Sequence, residues 1–141
     1  MAKRKHKQNR IEIPLGSSRE DKRARKQIIK DIYAQWIAKH PDKKIWNNSL
    51  NAYIFVKGIS MNETSGQAST SYKSTKEVLR LTEILANATL VKIMPPKKND
   101  KNQKPYSQIL KMQQKSAMLV VGKQDSTNEF VQYCISFWGN K

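Results

Sequence analysis

The sequence predicts an α+β fold, with N-terminal helices packed on one face of a roughly four-stranded antiparallel sheet (helices first, strands after). Two observations predict it. Up to about residue 88, apolar residues recur mainly at three- and four-residue steps, interrupted by a single strand-like block. From Leu90 onward they form short strand-like blocks joined by short loops, the pattern of a meander. A chain of 141 residues with 38% hydrophobic content supports one such domain, over residues 18–141, preceded by a flexible basic arm over 1–17.

The arm carries Lys3, Arg4, Lys5, Lys7 and Arg10 with too few apolar residues to fold alone. Ser18 followed by Asp21 predicts a helix start, since a serine oxygen accepts an orphan amide and an acid suits the positive helix end. Ile28, Ile29, Ile32, Tyr33, Trp36 and Ile37 then give one apolar stripe, with Arg23 and Lys26 off it, and Pro41 stops the helix. Leu50 to Lys57, "LNAYIFVK", reads as a strand ended by Gly58. Ser60 with Glu63 and Ser74 with Glu77 read as two capping boxes. The second opens a helix with Val78, Leu81, Leu85 and Ala88 on one face. Four strands follow, "LVKIM" from Leu90, "PYSQILKMQ" from Pro105, "AMLVVGK" from Ala117 and "EFVQYCISFW" from Glu129. Alternation in the last puts Val131, Tyr133, Ile135 and Phe137 on one face, and Gln132, Cys134 and Ser136 on the other, open face.

Lys plus Arg number 27 against 11 Asp plus Glu, a net charge of +16. A surplus of that size creates a positive field that concentrates polyanions, nucleic acid first and an anionic membrane surface second. Apolar runs of only a handful of residues exclude a membrane-spanning helix, and "MAKRKHKQNR" lacks the apolar core of a secretory signal, so the expected location is the cytoplasm. Two histidines and one cysteine in unrelated contexts form no metal-ligand spacing, no glycine-rich phosphate loop is present, and no cofactor is expected. Cys134, in an apolar run, is expected to pack as a small hydrophobe.

Cleavage of RNA without metal uses the neighbouring 2′-hydroxyl as nucleophile, and the protein need only move protons and stabilise charge. The residues on offer for that chemistry are Lys73, Lys104, Tyr106 and Gln132. Phosphate contacts are expected from Lys3, Arg4, Lys5, Lys7, Arg10, Arg23, Lys26, Ser71, Lys97, Lys98, Lys101 and Lys111. Ser71 and Lys73 belong to a hydroxyl-rich segment, "TSGQASTSYKST", at a helix entry, where free amides favour an anion.

The stretches "SMNETSGQASTSYKSTKEVLRLTEILANAT", "PPKKNDKNQKPYSQILKM" and "FVQYCIS" resemble small proteins of phages and mobile elements from Bacteroidetes-type bacteria. Those proteins are grouped with the barnase–EndoU–colicin–RelE-like (BECR) nuclease fold, and the resemblance spans about Leu50 to Phe137. It implies helices on a four-stranded antiparallel sheet whose open face binds RNA. It also implies one of two functions, a metal-independent ribonuclease of phage or toxin origin or a non-catalytic binding or host-modulating protein on the same scaffold. The family pattern carries a histidine where this chain has Gln67, and a threonine where it has Val120. A protein partner, an antitoxin or host factor, leaves no mark in the sequence.

Overall fold

A computed structural model describes residues 12–138. Most of the expected arm, with Lys3, Arg4, Lys5, Lys7 and Arg10, lies outside the described residues. The first helix, α1 (Arg19–Lys39), starts as expected: the Ser18 hydroxyl accepts the Asp21 amide at 3.0 Å. Its buried stripe is Arg25, Ile29, Tyr33 and Trp36, with Ile32 and Ile37 packed alongside. At its end the His40 ring stacks on Trp36, centroids 4.0 Å apart, and the Trp36 indole donates to Thr82.

The rest of the chain forms β1 (Lys44–Asn47), β2 (Ala52–Phe55), α2 (Gly58–Ala68), α3 (Tyr72–Val78), α4 (Leu81–Asn87) and β3 (Thr89–Met94). A short 3-10 turn (Lys101–Gln103) then precedes β4 (Tyr106–Gln114), β5 (Ala117–Gln124) and β6 (Phe130–Phe137). The strands make one sheet in the order β1-β2-β6-β5-β4-β3. The expected four-stranded antiparallel meander is present as β3 to β6. The sheet is larger than expected because the segment "KIWN" pairs with β2 as a hairpin, and β2 runs parallel to β6. Four residues are too few to show a period, so β1 left no pattern to read.

Two further expectations are corrected. The helix predicted behind Ser74 is two short helices, broken at Leu79–Arg80, so that Val78, Leu81, Ile84 and Leu85 can all reach the core. The capping serines are also displaced. Helix α2 takes Lys57 as its N-cap residue, with Ser60 in its first turn accepting the Lys57 amide at 2.9 Å, and α3 is capped by Ser71, whose hydroxyl accepts the Ser74 amide at 3.1 Å.

The main core lies between the helices and the sheet, with Ile29, Tyr33 and Trp36 gathered with Ile54, Leu110, Met112, Leu119, Val121 and Ile135. A smaller cluster of Tyr106, Ile109, Val131, Tyr133 and Cys134 sits apart, joined by Ile59 of α2. A register shift separates the two faces of β6. Val120 pairs with Cys134 but Val121 pairs with Gln132, leaving Tyr133 as an extra residue. The alternation predicted for β6 is therefore broken. Tyr133 and Cys134 both join the smaller cluster, and Gln132 turns into the core instead of the open face.

Strand β2 covers only the start of β6, through the pairs Ile54–Phe130 and Phe55–Val131. Beyond them the edge of β6 is completed by side chains from the helices. The Ser60 hydroxyl donates to the Gln132 carbonyl, and the Phe137 amide donates to the Ser74 hydroxyl at 3.0 Å. Serine oxygens stand in for a missing strand.

Arg25 is 1% exposed. Its Nε donates to the Ser69 carbonyl at 2.7 Å, and its Nη1 donates to the Pro14 and Gly16 carbonyls at 2.9 and 2.7 Å. Ser69 closes the C-terminal end of α2, where the helix dipole favours a cation. The guanidinium thus ties α1 to α2 and to the chain before α1. Arg25→Ala leaves those carbonyls without their charged donor and should lower stability by about 3 kcal/mol in urea unfolding. Arg25→Lys, keeping the charge but not the fork, should recover only part of that. A loss below about 1 kcal/mol for the alanine variant would show that water replaces the guanidinium freely.

Candidate nucleic-acid interface

The hydroxyl-rich segment resolves mainly into internal bonding. Thr64 Oγ1 meets the Tyr33 hydroxyl at 3.1 Å and the Gln132 amide at 3.0 Å, while Tyr33 also donates to Gln132 Oε1 at 2.8 Å. Thr70 donates to the Gln67 carbonyl, Thr75 to the Ala68 and Ser71 carbonyls, and Ser65 to the Asn62 carbonyl. These bonds explain why small hydroxylated residues crowd a stretch that must turn twice beneath a sheet edge.

The one charged side chain that the segment leaves exposed is Lys73. A groove of ≈ 500 Å³ runs beside α3, lined by Tyr72, Lys73, Lys76, Arg80, Ser116 and Phe137, with Glu77 and Leu79. Lys73 Nζ lies 5.0 Å from the centre of the Phe137 ring, and Lys76 Nζ 5.9 Å from that of Tyr72. At the groove wall Arg80 meets Glu77 at 2.8 Å and Glu83 at 3.2 Å, and Ser116 donates to Glu77. Partial burial works against the charge of Arg80, but these two carboxylates more than offset it and raise its pKa. Glu83 is held below the ordinary carboxylate range by hydrogen bonds from Gln114 and Lys115.

Ion pairing accounts for little of the positive charge. Among the described residues, carboxylates pair with Lys57, Arg80 and Lys115. Lys73 and Lys76 belong to no such pair, nor do Lys92, Lys97, Lys98, Lys101, Lys104 and Lys111. Lys92 and Lys111 are direct partners across β3 and β4, a like-charge pairing that disfavours the sheet. Lys97, Lys98, Lys101 and Lys104 crown the loop between β3 and β4. Gln103 orders that loop by accepting the Lys97 amide, and Asn102 fastens it to Glu63 of α2.

The expected site residues therefore fall into three groups. Ser71 and Lys73 come together on α3, where Ser71 spends its acceptor on the helix cap. Lys97, Lys98, Lys101 and Lys104 share one exposed loop, and Arg23 and Lys26 lie on the outer side of α1. The residues offered for cleavage do not converge. Gln132 is fully buried with Tyr33 and Thr64 on the helix side of the sheet. Tyr106 is packed on the opposite side, edge-on to Tyr133 and so close over Gly122 that a Cβ there would fall 2.7 Å from its ring. Burial and the charge of Glu63 raise the pKa of both Tyr106 and Tyr133, so each keeps its proton. Gln67 bonds Glu63 on an exposed helix face. Cys134 is core, as expected, its thiol pushed up to about 12 by burial.

Sequence reading missed Tyr72, Lys76, Arg80 and Phe137 as partners of Lys73. The three-residue step from Lys73 to Lys76 is the spacing of one helical face, a signal the sequence did carry, whereas Arg80 reaches the groove from the break between α3 and α4. The buried position of Gln132 makes a separable prediction. Gln132→Leu should cost about 2 kcal/mol in urea unfolding by stripping partners from Tyr33 and Thr64. Any nucleic-acid affinity should stay unchanged below the unfolding range, whereas a loss of affinity without a loss of stability would make Gln132 a contact residue.

No helix among the described residues is long and apolar enough to cross a membrane. No curated protein and no solved structure matches the chain. A family model matches residues 21–130, which hold nearly all of the helical layer and the sheet up to the start of β6. That match agrees with the phage or mobile-element association implied by the resemblance of the "YKST" and "KNQKPYS" segments. With most of its length covered, the chain belongs to the large polyvalent protein-associated domain 3 family.

Proposed function

We propose that this domain binds nucleic acid, RNA in the first place, through the α3 groove and the lysine loop, and that it binds without cleaving. The observation that carries this reading is the groove itself. Lys73, Lys76 and Arg80 line one concave surface with two aromatic rings, in a chain whose described carboxylates pair with few of its cations. Cations that follow a groove and rings that accept a stacked base are the two components of sequence-tolerant single-strand recognition. The antiparallel meander of β3 to β6 under a helical layer is in keeping with the BECR-like fold expected from the resemblance, to which this chain adds the β1–β2 hairpin.

Binding is favoured over turnover because two of the four residues offered for cleavage, Tyr106 and Gln132, are packed away from the groove. Cleavage needs a proton acceptor and a proton donor within reach of one phosphate. Gln132 and Tyr106 are buried on opposite sides of the sheet, and Gln67 cannot titrate.

The test is fluorescence anisotropy with a labelled RNA over a range of salt. Lys73→Ala combined with Lys76→Ala should weaken binding at unchanged stability. The log–log salt dependence should flatten by roughly 0.7 for each single-strand phosphate that the variant no longer neutralises. The same RNA incubated with the protein in EDTA should remain intact. Specific cleaved ends that vanish in the Lys73→Ala variant would establish a ribonuclease instead. An unchanged salt slope in the double variant would remove the groove from the interface.

A further inference from the structure

The β1–β2 hairpin carries aromatic side chains in register on its outer face. Trp46 pairs directly with Tyr53, and Lys44 with Phe55, so all four side chains stand on the same side. Trp46 is 42% exposed and Tyr53 44% exposed, among the most exposed large apolar groups described. Their rings meet edge to face at 5.2 Å. Ile54 is fully buried on the opposite face and anchors the hairpin to the core. The platform is therefore anchored and outward-facing, although burying its rings would favour folding.

Cations stand beside the hairpin's aromatic rings. Lys44 Nζ lies 4.4 Å from the centre of Tyr53 and 5.7 Å from that of Phe55, and Lys57 Nζ, which pairs with Glu129, lies 5.9 Å from Phe55. Phe55 pairs with Val131, which carries the aromatic face onto the side of the sheet opposite the helices. A groove of ≈ 240 Å³ continues from there, with Lys57, Lys101 and Tyr106 in its walls.

We infer that the hairpin is a second contact for single-stranded nucleic acid, a stacking platform on which unpaired bases lie against Trp46 and Tyr53 while Lys44 meets the adjoining phosphate. This rests on the nucleic-acid reading above and names its ligand class more narrowly. Bases have two flat faces and stack on any exposed aromatic ring without regard to sequence, and only an unpaired base can offer such a face. The charge of the chain, +16, selects a polyanion over a second copy or a basic partner as the occupant.

The experiment compares three probes with the full chain: a uridine oligomer of about a dozen nucleotides, the matching thymidine DNA oligomer and a blunt RNA duplex. Trp46→Ala and Tyr53→Ala should each weaken binding of the single strands by about tenfold. The salt slope should stay unchanged, because every cation that meets a phosphate is still in place, and duplex affinity should barely move. Trp46→Phe, which keeps a ring, should restore most of the affinity, and Trp46→Leu, which keeps apolar packing alone, should not. Comparison of the two oligomers tells whether RNA or DNA is preferred. If the alanine variants, folded by circular dichroism, bind single strands as the parent does, the platform is wrong while the groove reading stands. Equal losses on single strands and duplex, or full rescue by leucine, overturn it as well. A parent chain that binds none of the probes overturns both readings.

Discussion

The long edge of β6 is the constraint around which the molecule is arranged. A strand that crosses the middle of a sheet needs partners on both sides, and β2 supplies them only as far as Val131. The remainder would expose unpaired backbone groups beneath two helices, where water does not replace a lost partner cheaply. Ser60 and Ser74 meet that need from α2 and α3. Because each is also fixed within its helix turn, the two helices are held at set heights along the strand. Thr64, Tyr33 and Gln132 then join α1, α2 and β6 through one fully bonded buried network. The composition of the segment from Thr64 to Thr75 follows from this geometry more than from any chemistry on a substrate.

Charge is organised on a different principle. The one buried cation, Arg25 among the described residues, is satisfied by carbonyl oxygens and a helix end rather than by a carboxylate. The carboxylates that do pair are gathered near α3 and α4 and at the Lys57 corner. Elsewhere lysines stand next to lysines, as in the loop before β4 and across Lys92 and Lys111. Such an arrangement adds nothing to folding stability, and its physical use lies in what it attracts.

Much of the fold could be read in the sequence wherever one signal dominated. Ser18 capped the first helix, Trp36 entered the core, and the antiparallel meander appeared in its predicted order. The failures have specific causes. A single inserted residue at Tyr133 reversed the facing of Gln132, and a strict alternation rule cannot anticipate a bulge. Ser60 and Ser74 follow the S-x-x-E pattern, yet residues three positions earlier took the cap, because both hydroxyls were drawn to β6. Long-range demands of this kind have no local signature. The basic character of the surface was legible from composition, but the groove beside α3 depends on Phe137 arriving from the far end of the chain.

One feature of the outer sheet bears on how copies of this chain behave together. Strand β3 closes the sheet on the side away from β1, and five of its six residues are exposed, with Leu90, Val91 and Ile93 among them. An open, apolar strand edge is a template for stacking one molecule on the next. Lys92 interrupts it at mid-length, and the repulsion between strongly positive chains keeps such edges apart. That protection is a matter of field rather than shape, so it shrinks with the Debye length, to about 3 Å in molar salt. Concentrated brine, which usually loosens a basic protein from its contaminants, is for this chain the solvent that removes its guard against self-association.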